Sequence, residues 1–200
     1  MKNIFIILIV LAFTNTVFSQ KKGKRKKIVK KTSIVLANAT NVVFEMNKKN
    51  GLNQLYLLLG DKKDTLLLKS VPELTKILPE SCVLKSFFCG TTPFLNVTWT
   101  ENNSIGDAKS KLENITKINN EIWETAARNQ VFANVQTTTN IKEIVYLDRL
   151  KNASETQERN RKEGFEFMLQ TNGDVLLTNK SQVNTMVYNA VDKKYKAKKK

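Results

Sequence analysis

The chain has 200 residues, of which 33 are Lys or Arg, 18 are Asp or Glu and none is His, giving a formal charge of +15. The missing imidazole excludes Ser-His-Asp and Cys-His catalysis, imidazole metal sites and a histidine pH switch. Seven scattered glycines form no phosphate-cradling loop, so neither a nucleotide enzyme nor a bound cofactor is expected.

Met1-Lys2-Asn3, the apolar run Ile4 to Phe13 and the small residues Val17 and Ser19 around Phe18 predict a signal peptide over 1–19. Cleavage before Gln20 would place the protein outside the cell or in the periplasm or cell envelope. The run is shorter than the roughly 20 residues a membrane-spanning helix needs. The positive charge that follows it would suit an uncleaved, inward-facing anchor, which is the alternative topology.

That charge is concentrated at the ends. Lys21, Lys22, Lys24, Arg25, Lys26 and Lys27, with Lys30 and Lys31, make residues 20–31 one basic tail, and Lys198, Lys199 and Lys200 close a second over 192–200. Residues 32–191 hold 18 basic and 17 acidic side chains, so the intervening domain is nearly neutral. Like-charge runs repel themselves, and both tails are predicted to be disordered until they meet an anionic membrane surface or another polyanion. Each lysine near such a surface contributes on the order of 1 kcal/mol. Tyr195 is the only aromatic residue in either tail, so base stacking has little platform and sequence-specific nucleic-acid binding is not expected.

From Thr32 to Val71 the pattern predicts a strand meander: Ile34 to Ala37, Val42 to Met46, Leu52 to Leu59 and Thr65 to Lys69, with Asn50-Gly51 as a hairpin turn. Ser70, Pro72 and Glu73 predict a short helix ending before Pro79. Cys82 and Cys89 enclose six residues, and in an oxidising compartment a disulfide is their simplest arrangement. Leu95, Val97 and Trp99 alternate as a half-buried strand does.

Between 104 and 127, Ala108, Leu112, Ile115, Ile118, Ile122, Trp123 and Ala126 recur every three or four positions behind a Ser104–Asp107 capping pattern. This predicts one long amphipathic helix. Val131 to Gln136 reads as a strand, 141–150 weakly so, and the polar segment Asn152 to Glu163 as an exposed helix or loop. Phe165, Phe167 and Leu169 alternate up to Asn172-Gly173, and Asp174 to Thr178 should return as a hairpin. Val183, Met186, Val187, Ala190 and Val191 predict a closing helix.

The expected fold is therefore a single α+β domain over 32–191, with antiparallel hairpins packed on a long central helix and a C-terminal helix. Asn-x-Ser/Thr triplets at Asn38, Asn96, Asn102, Asn152 and Asn179, with Asn114 inside the expected helix, would be glycan acceptors in a eukaryotic secretory pathway. These features point to an exported, non-enzymatic binding protein for a protein or glycan ligand. Its contacts would lie on the segment Asn152 to Glu163 and on the cysteine loop. The alternative is a small exported hydrolase working through paired carboxylates, Glu121 with Glu124 or Glu163 with Glu166. No catalytic or metal-binding residue is assigned.

Overall fold

The computed structural model describes residues 33–39, 41–60 and 64–198. The expected signal peptide, the first basic tail, Lys199 and Lys200 lie outside the described residues. Within them the chain is built of antiparallel strands and one 3-10 turn, Pro79–Ser81, with no α-helix. The α+β expectation is thereby corrected to an all-β architecture.

Strands β1 (Ser33–Ala39), β2 (Val42–Lys49), β3 (Leu52–Leu59) and β4 (Asp64–Pro72) form the first four-stranded meander. Asn50 and Gly51, both at positive φ, turn β2 into β3 as a two-residue hairpin requires. A central six-stranded sheet follows, with β5 (Lys76–Ile77), β6 (Val83–Cys89), β7 (Thr92–Asp107), β8 (Lys111–Glu124), β9 (Asn129–Tyr146) and β10 (Ser154–Glu163). Its order is β10-β9-β8-β7, and β7 is paired along its outer edge by β6 and then by β5. The last meander contains β11 (Glu166–Leu169), β12 (Val175–Thr178), β13 (Val183–Asn189) and β14 (Lys194–Ala197).

The two small sheets cover opposite faces of one end of the central sheet. Leu95, Val97, Trp99 and Trp123 pack with Phe44, Leu55 and Leu57 of the first meander. Phe94, Ile122 and Val131 pack with Val175, Leu177 and Tyr195 of the last. Alternation along β7 sends Phe94 and Leu95 into different cores, and the run Phe94 to Val97 is buried throughout. A bulge opposite Ile122 and Trp123 lets the neighbours Val131 and Phe132 both join the second core.

Buried polar groups tie the layers together. The Glu101 carboxylate accepts from the Trp99 indole at 2.8 Å, from Asn119 at 3.1 Å and from Lys69 of the first meander at 2.6 Å. The Lys69 ammonium also lies 5.9 Å from the Trp99 ring centroid. On the other side, the Tyr195 hydroxyl donates to the Gly173 carbonyl at 2.8 Å and lies 3.4 Å from Cys89 Sγ.

The expected long helix is a β-hairpin. Ile115, Thr116, Ile118 and Ile122 are β-branched, and β8 lies among strands on both sides, so their spacing of three and four reflects unequal coverage of its two faces. Asp107 does not cap a helix. Its carboxylate accepts from the Lys109 amide at 3.1 Å while its carbonyl accepts from the Ser110 amide, the same local bonding that caps helices used here to close a turn. The expected C-terminal helix is β13, the expected helix after Ser70 is the end of β4 with β5, and the expected tail 192–200 includes β14, whose Tyr195 is buried.

The cysteines are also placed differently from the expectation. Both thiols are free. Strand β6 fills the space between them and holds them roughly 20 Å apart along its axis, well beyond the Cα separation a disulfide can span. Cys82 joins the first core and Cys89 the second.

Three outcomes follow from this packing. A Cβ on Gly173 would sit 2.4 Å from Cys89 Sγ, at φ +86°, so Gly173→Ala should lower stability by roughly 2 kcal/mol or more; an unchanged urea midpoint would contradict that contact. Glu101→Ala strands the Trp99 and Asn119 donors and the Lys69 ammonium, and should cost about 3 kcal/mol in the same assay. Burial raises the Cys82 thiol to about 11 and also pushes the Tyr195 phenol up. The folded state therefore keeps protons that the unfolded chain releases, and stability should decline between pH 9 and pH 11 by on the order of 2 kcal/mol for Cys82 alone.

Candidate functional site: an uncovered sheet and its corner groove

Strands β7, β8 and β9 are 16, 14 and 18 residues long. At roughly 3.3 Å per residue β9 extends about 60 Å, well past the ends of the small sheets, whose strands have at most nine residues. Residues 102–107, 111–118 and 135–146 continue together with β10 as a four-stranded wing. All ten residues of β10 are exposed.

The two faces of the wing differ in chemistry. On the face toward the first meander, Ile105, Glu113, Ile141 and Arg159 stand in one row and Asn103, Ile115, Thr139 and Arg161 in the next. Thr139 and Ile141 are 2% and 6% exposed, although among the described residues no second sheet lies over them. On the same face Arg159 is bonded to Glu143 of the neighbouring strand at 2.9 Å, and Lys111 to Glu113 of its own strand at 2.8 Å. The Lys111 ammonium holds the Glu113 carboxyl below the usual carboxylate range, with Arg161 and Arg159 adding to the effect.

The opposite face is an array of amides and hydroxyls. Ser104, Asn114, Asn140 and Asn160 lie directly across from one another on four strands, and Asn102, Thr116, Thr138 and Lys162 form the adjacent row. Within the first row the Ser104 hydroxyl donates to Asn114 at 2.7 Å and the Asn140 amide to Asn160 at 2.9 Å. The Asn102 Oδ1 is buried without a partner.

Where this face meets the end of the last meander a groove of about 730 Å³ opens. Gln136, Asn160 and Lys162 form its wing side, and Thr178, Lys180 and Ser181 its other side. Asn179 shapes that second wall, its Oδ1 accepting from the Ser181 and Gln182 amides at 2.9 Å each. Lys162 is 3.5 Å from Glu166 across the groove. A second recess of about 530 Å³, bounded in part by Asn102, Ser104, Asn114 and Thr116, lies at the β7 edge of the same array. Amides and hydroxyls both donate and accept, so the surface suits a ligand rich in hydroxyl groups better than one carrying a dense charge.

The carboxylate pairs expected for a hydrolase are separated by the strand period. Glu121 lies on the first-core side, accepting from the Trp123 indole at 2.8 Å, and burial raises its carboxyl pKa. Glu124 lies toward the last meander, near Tyr188. Glu163 pairs with Arg161 at 3.2 Å on one face of the wing, while Glu166 lines the groove on the other. No cluster of His, Cys, Asp or Glu suited to a metal ion occurs among the described residues.

The exposed segment Asn152 to Glu163, expected to make contacts, supplies Asn160 and Lys162 to the groove. The cysteine loop is strand β6 and contributes nothing there. Of the glycan-acceptor positions, Asn38, Asn152 and Asn179 are exposed, whereas Asn96 is buried and Asn102 half-buried. Lys198 is exposed beyond β14, its amide donating to the Thr185 carbonyl at 2.8 Å. The wing residues missed from sequence are polar groups at alternate positions of four strands, interrupted by Leu112, Ile118 and Ile144, a pattern that acquires meaning only once the strands are paired.

No protein-family model matches the chain, and neither a curated protein nor a solved structure matches it.

Proposed function

We propose that this is an exported, non-enzymatic binding protein that holds a polyhydroxylated polymer, a glycan, on the amide face of its wing. Lysine-rich termini hold it near anionic surfaces. The observation that carries this reading is the array of Asn, Thr, Ser and Gln on an uncovered sheet face that leads into a groove of about 730 Å³. Side chains on paired strands are fixed in spacing by the backbone ladder, so the array presents its hydrogen-bonding groups with little ordering left to do on binding.

Lys162 and Lys180 at the groove favour a glycan with occasional acidic groups. Export rests on the terminal sequence, Lys2 followed by the apolar run and the Val17-Phe18-Ser19 site. Intact mass from the native host should begin at Gln20; a species retaining residues 1–19 would contradict export.

Binding is checked against a panel of neutral and uronic-acid polysaccharides by affinity electrophoresis, comparing the full chain with Asn114→Ala/Asn140→Ala/Asn160→Ala. The polysaccharide that retards the parent chain should be bound about tenfold or more weakly by the variant, with an unchanged melting temperature for these exposed or half-buried side chains. Equal retardation of both, or none by any polysaccharide, would overturn the reading.

A further inference from the structure

We propose that the far end of the wing docks on an anionic lipid bilayer, with Leu147 and Leu150 entering the headgroup layer and Lys109, Arg149 and Lys151 facing its negative charge. This is a separate surface from the amide face, and it does not depend on a glycan being bound there.

The far end consists of two turns side by side. The Ile144 amide donates to the Ser110 carbonyl at 2.8 Å, which pins the β7–β8 turn against the β9–β10 hairpin. The longer hairpin carries the sequence Tyr146-Leu147-Asp148-Arg149-Leu150-Lys151. Leu147 and Leu150 are 63% and 79% exposed, and Tyr146 is 46% exposed. Single exposed leucines are ordinary on protein surfaces, but two leucines with a tyrosine and two cations within six residues form an amphipathic cap.

The loop is held in shape by its own acid. Asp148 accepts from the Asn152 amide at 2.9 Å and from the Ala153 amide at 3.1 Å, and its carbonyl accepts from the Lys151 amide at 3.3 Å. Asp107 is likewise engaged with the Lys109 amide in the neighbouring turn. Both aspartates of this end are exposed and bonded to turn backbone, and Lys109, Arg149 and Lys151 are exposed with them, so the end keeps a surplus of positive charge. The Lys151 ammonium lies 5.1 Å from the Tyr146 ring centroid, combining an aromatic ring and a cation as interfacial anchors do.

Charge decides between occupants. An apolar pocket on a partner protein would accommodate the two leucines but gives no reason for the surplus of cations, Lys109, Arg149 and Lys151 against Asp107 and Asp148, in the same two turns, whereas an anionic bilayer meets both features at once. Insertion of short side chains and attraction by a few cations gives reversible docking, with the hydrophobic part insensitive to salt.

The test uses the full chain from Gln20 and vesicles of phosphatidylcholine with about 30 mol% phosphatidylglycerol, which gives the surface a negative potential. Co-sedimentation is read at low salt and at about 0.5 M salt, where lysine-tail attraction is largely screened. The parent chain should remain partly bound in high salt, and Leu147→Asn/Leu150→Asn should lower its partition coefficient about tenfold or more. In Leu150→Trp the new indole should shift its emission to the blue on these vesicles and not on pure phosphatidylcholine. Equal partitioning of parent and double variant would overturn the proposal and leave the tails as the only lipid contact. Absence of binding by the parent, or an unshifted Trp emission, would overturn it as well.

Discussion

The described fold depends on one hydrogen-bonded ladder, the pairing of β7 with β8 and of β8 with β9. From Leu95 opposite Trp123 to Asp107 opposite Lys111 the register runs without a break. At one end the ladder lies between two hydrophobic cores, and at the other no second sheet among the described residues covers it. Because a backbone ladder is cooperative, the end that buries Trp99, Val97 and Ile122 anchors strands whose outer halves have little apolar area to bury. The Glu101 cluster sits at the boundary, where the first meander ends its cover and the wing begins.

Among the described residues the wing is a single layer, and ion pairs link its long charged side chains. On one face the Arg159 guanidinium pairs with Glu143 of the neighbouring strand and the Lys111 ammonium with Glu113 of its own. The pair Lys142 and Glu158, at 2.7 Å, does the same on the other face. Each such exposed pair is worth only a fraction of a kcal/mol by itself. Their larger effect is on the outermost strand, where charges at Glu155, Glu158, Arg159, Arg161, Lys162 and Glu163 discourage pairing with a second chain. A sheet protected in this way can leave its amide face open to a ligand.

The parts of this fold that were legible in the sequence are those whose signal is local. Asn50-Gly51 and Asn172-Gly173 mark turns by their own backbone chemistry, and both hairpins form. The first meander was legible because Val42, Phe44 and Met46 alternate over a single buried face. The central sheet was not, because its burial is decided by distant segments. Ile122 and Trp123 are adjacent and face different cores, while Leu112, Ile115 and Ile118 face neither, and the result has a helical spacing by coincidence. Strand β10 carries no hydrophobic signal at all, since neither of its faces is buried and only its pairing with β9 makes it a strand. Tyr195 was the one residue among the C-terminal lysines that contradicted a disordered tail, and it proves to be a core residue. The amide array inherits the same difficulty, because Ser104, Asn114, Asn140 and Asn160 are brought together by register alone.

The measurement that most directly tests this account is amide hydrogen exchange along Val135–Tyr146, resolved residue by residue by NMR in the absence of ligand. Inside a paired wing, the amides of Thr138 to Glu143 bond to β8 and β10 and should exchange far more slowly than an open chain, even though most of these side chains are solvent-accessible. Exchange at open-chain rates from Gln136 outward, with protection retained at Leu95 to Trp99, would mean that the ladder ends with the hydrophobic cores. The wing, its amide face and its docking end would then not exist as described.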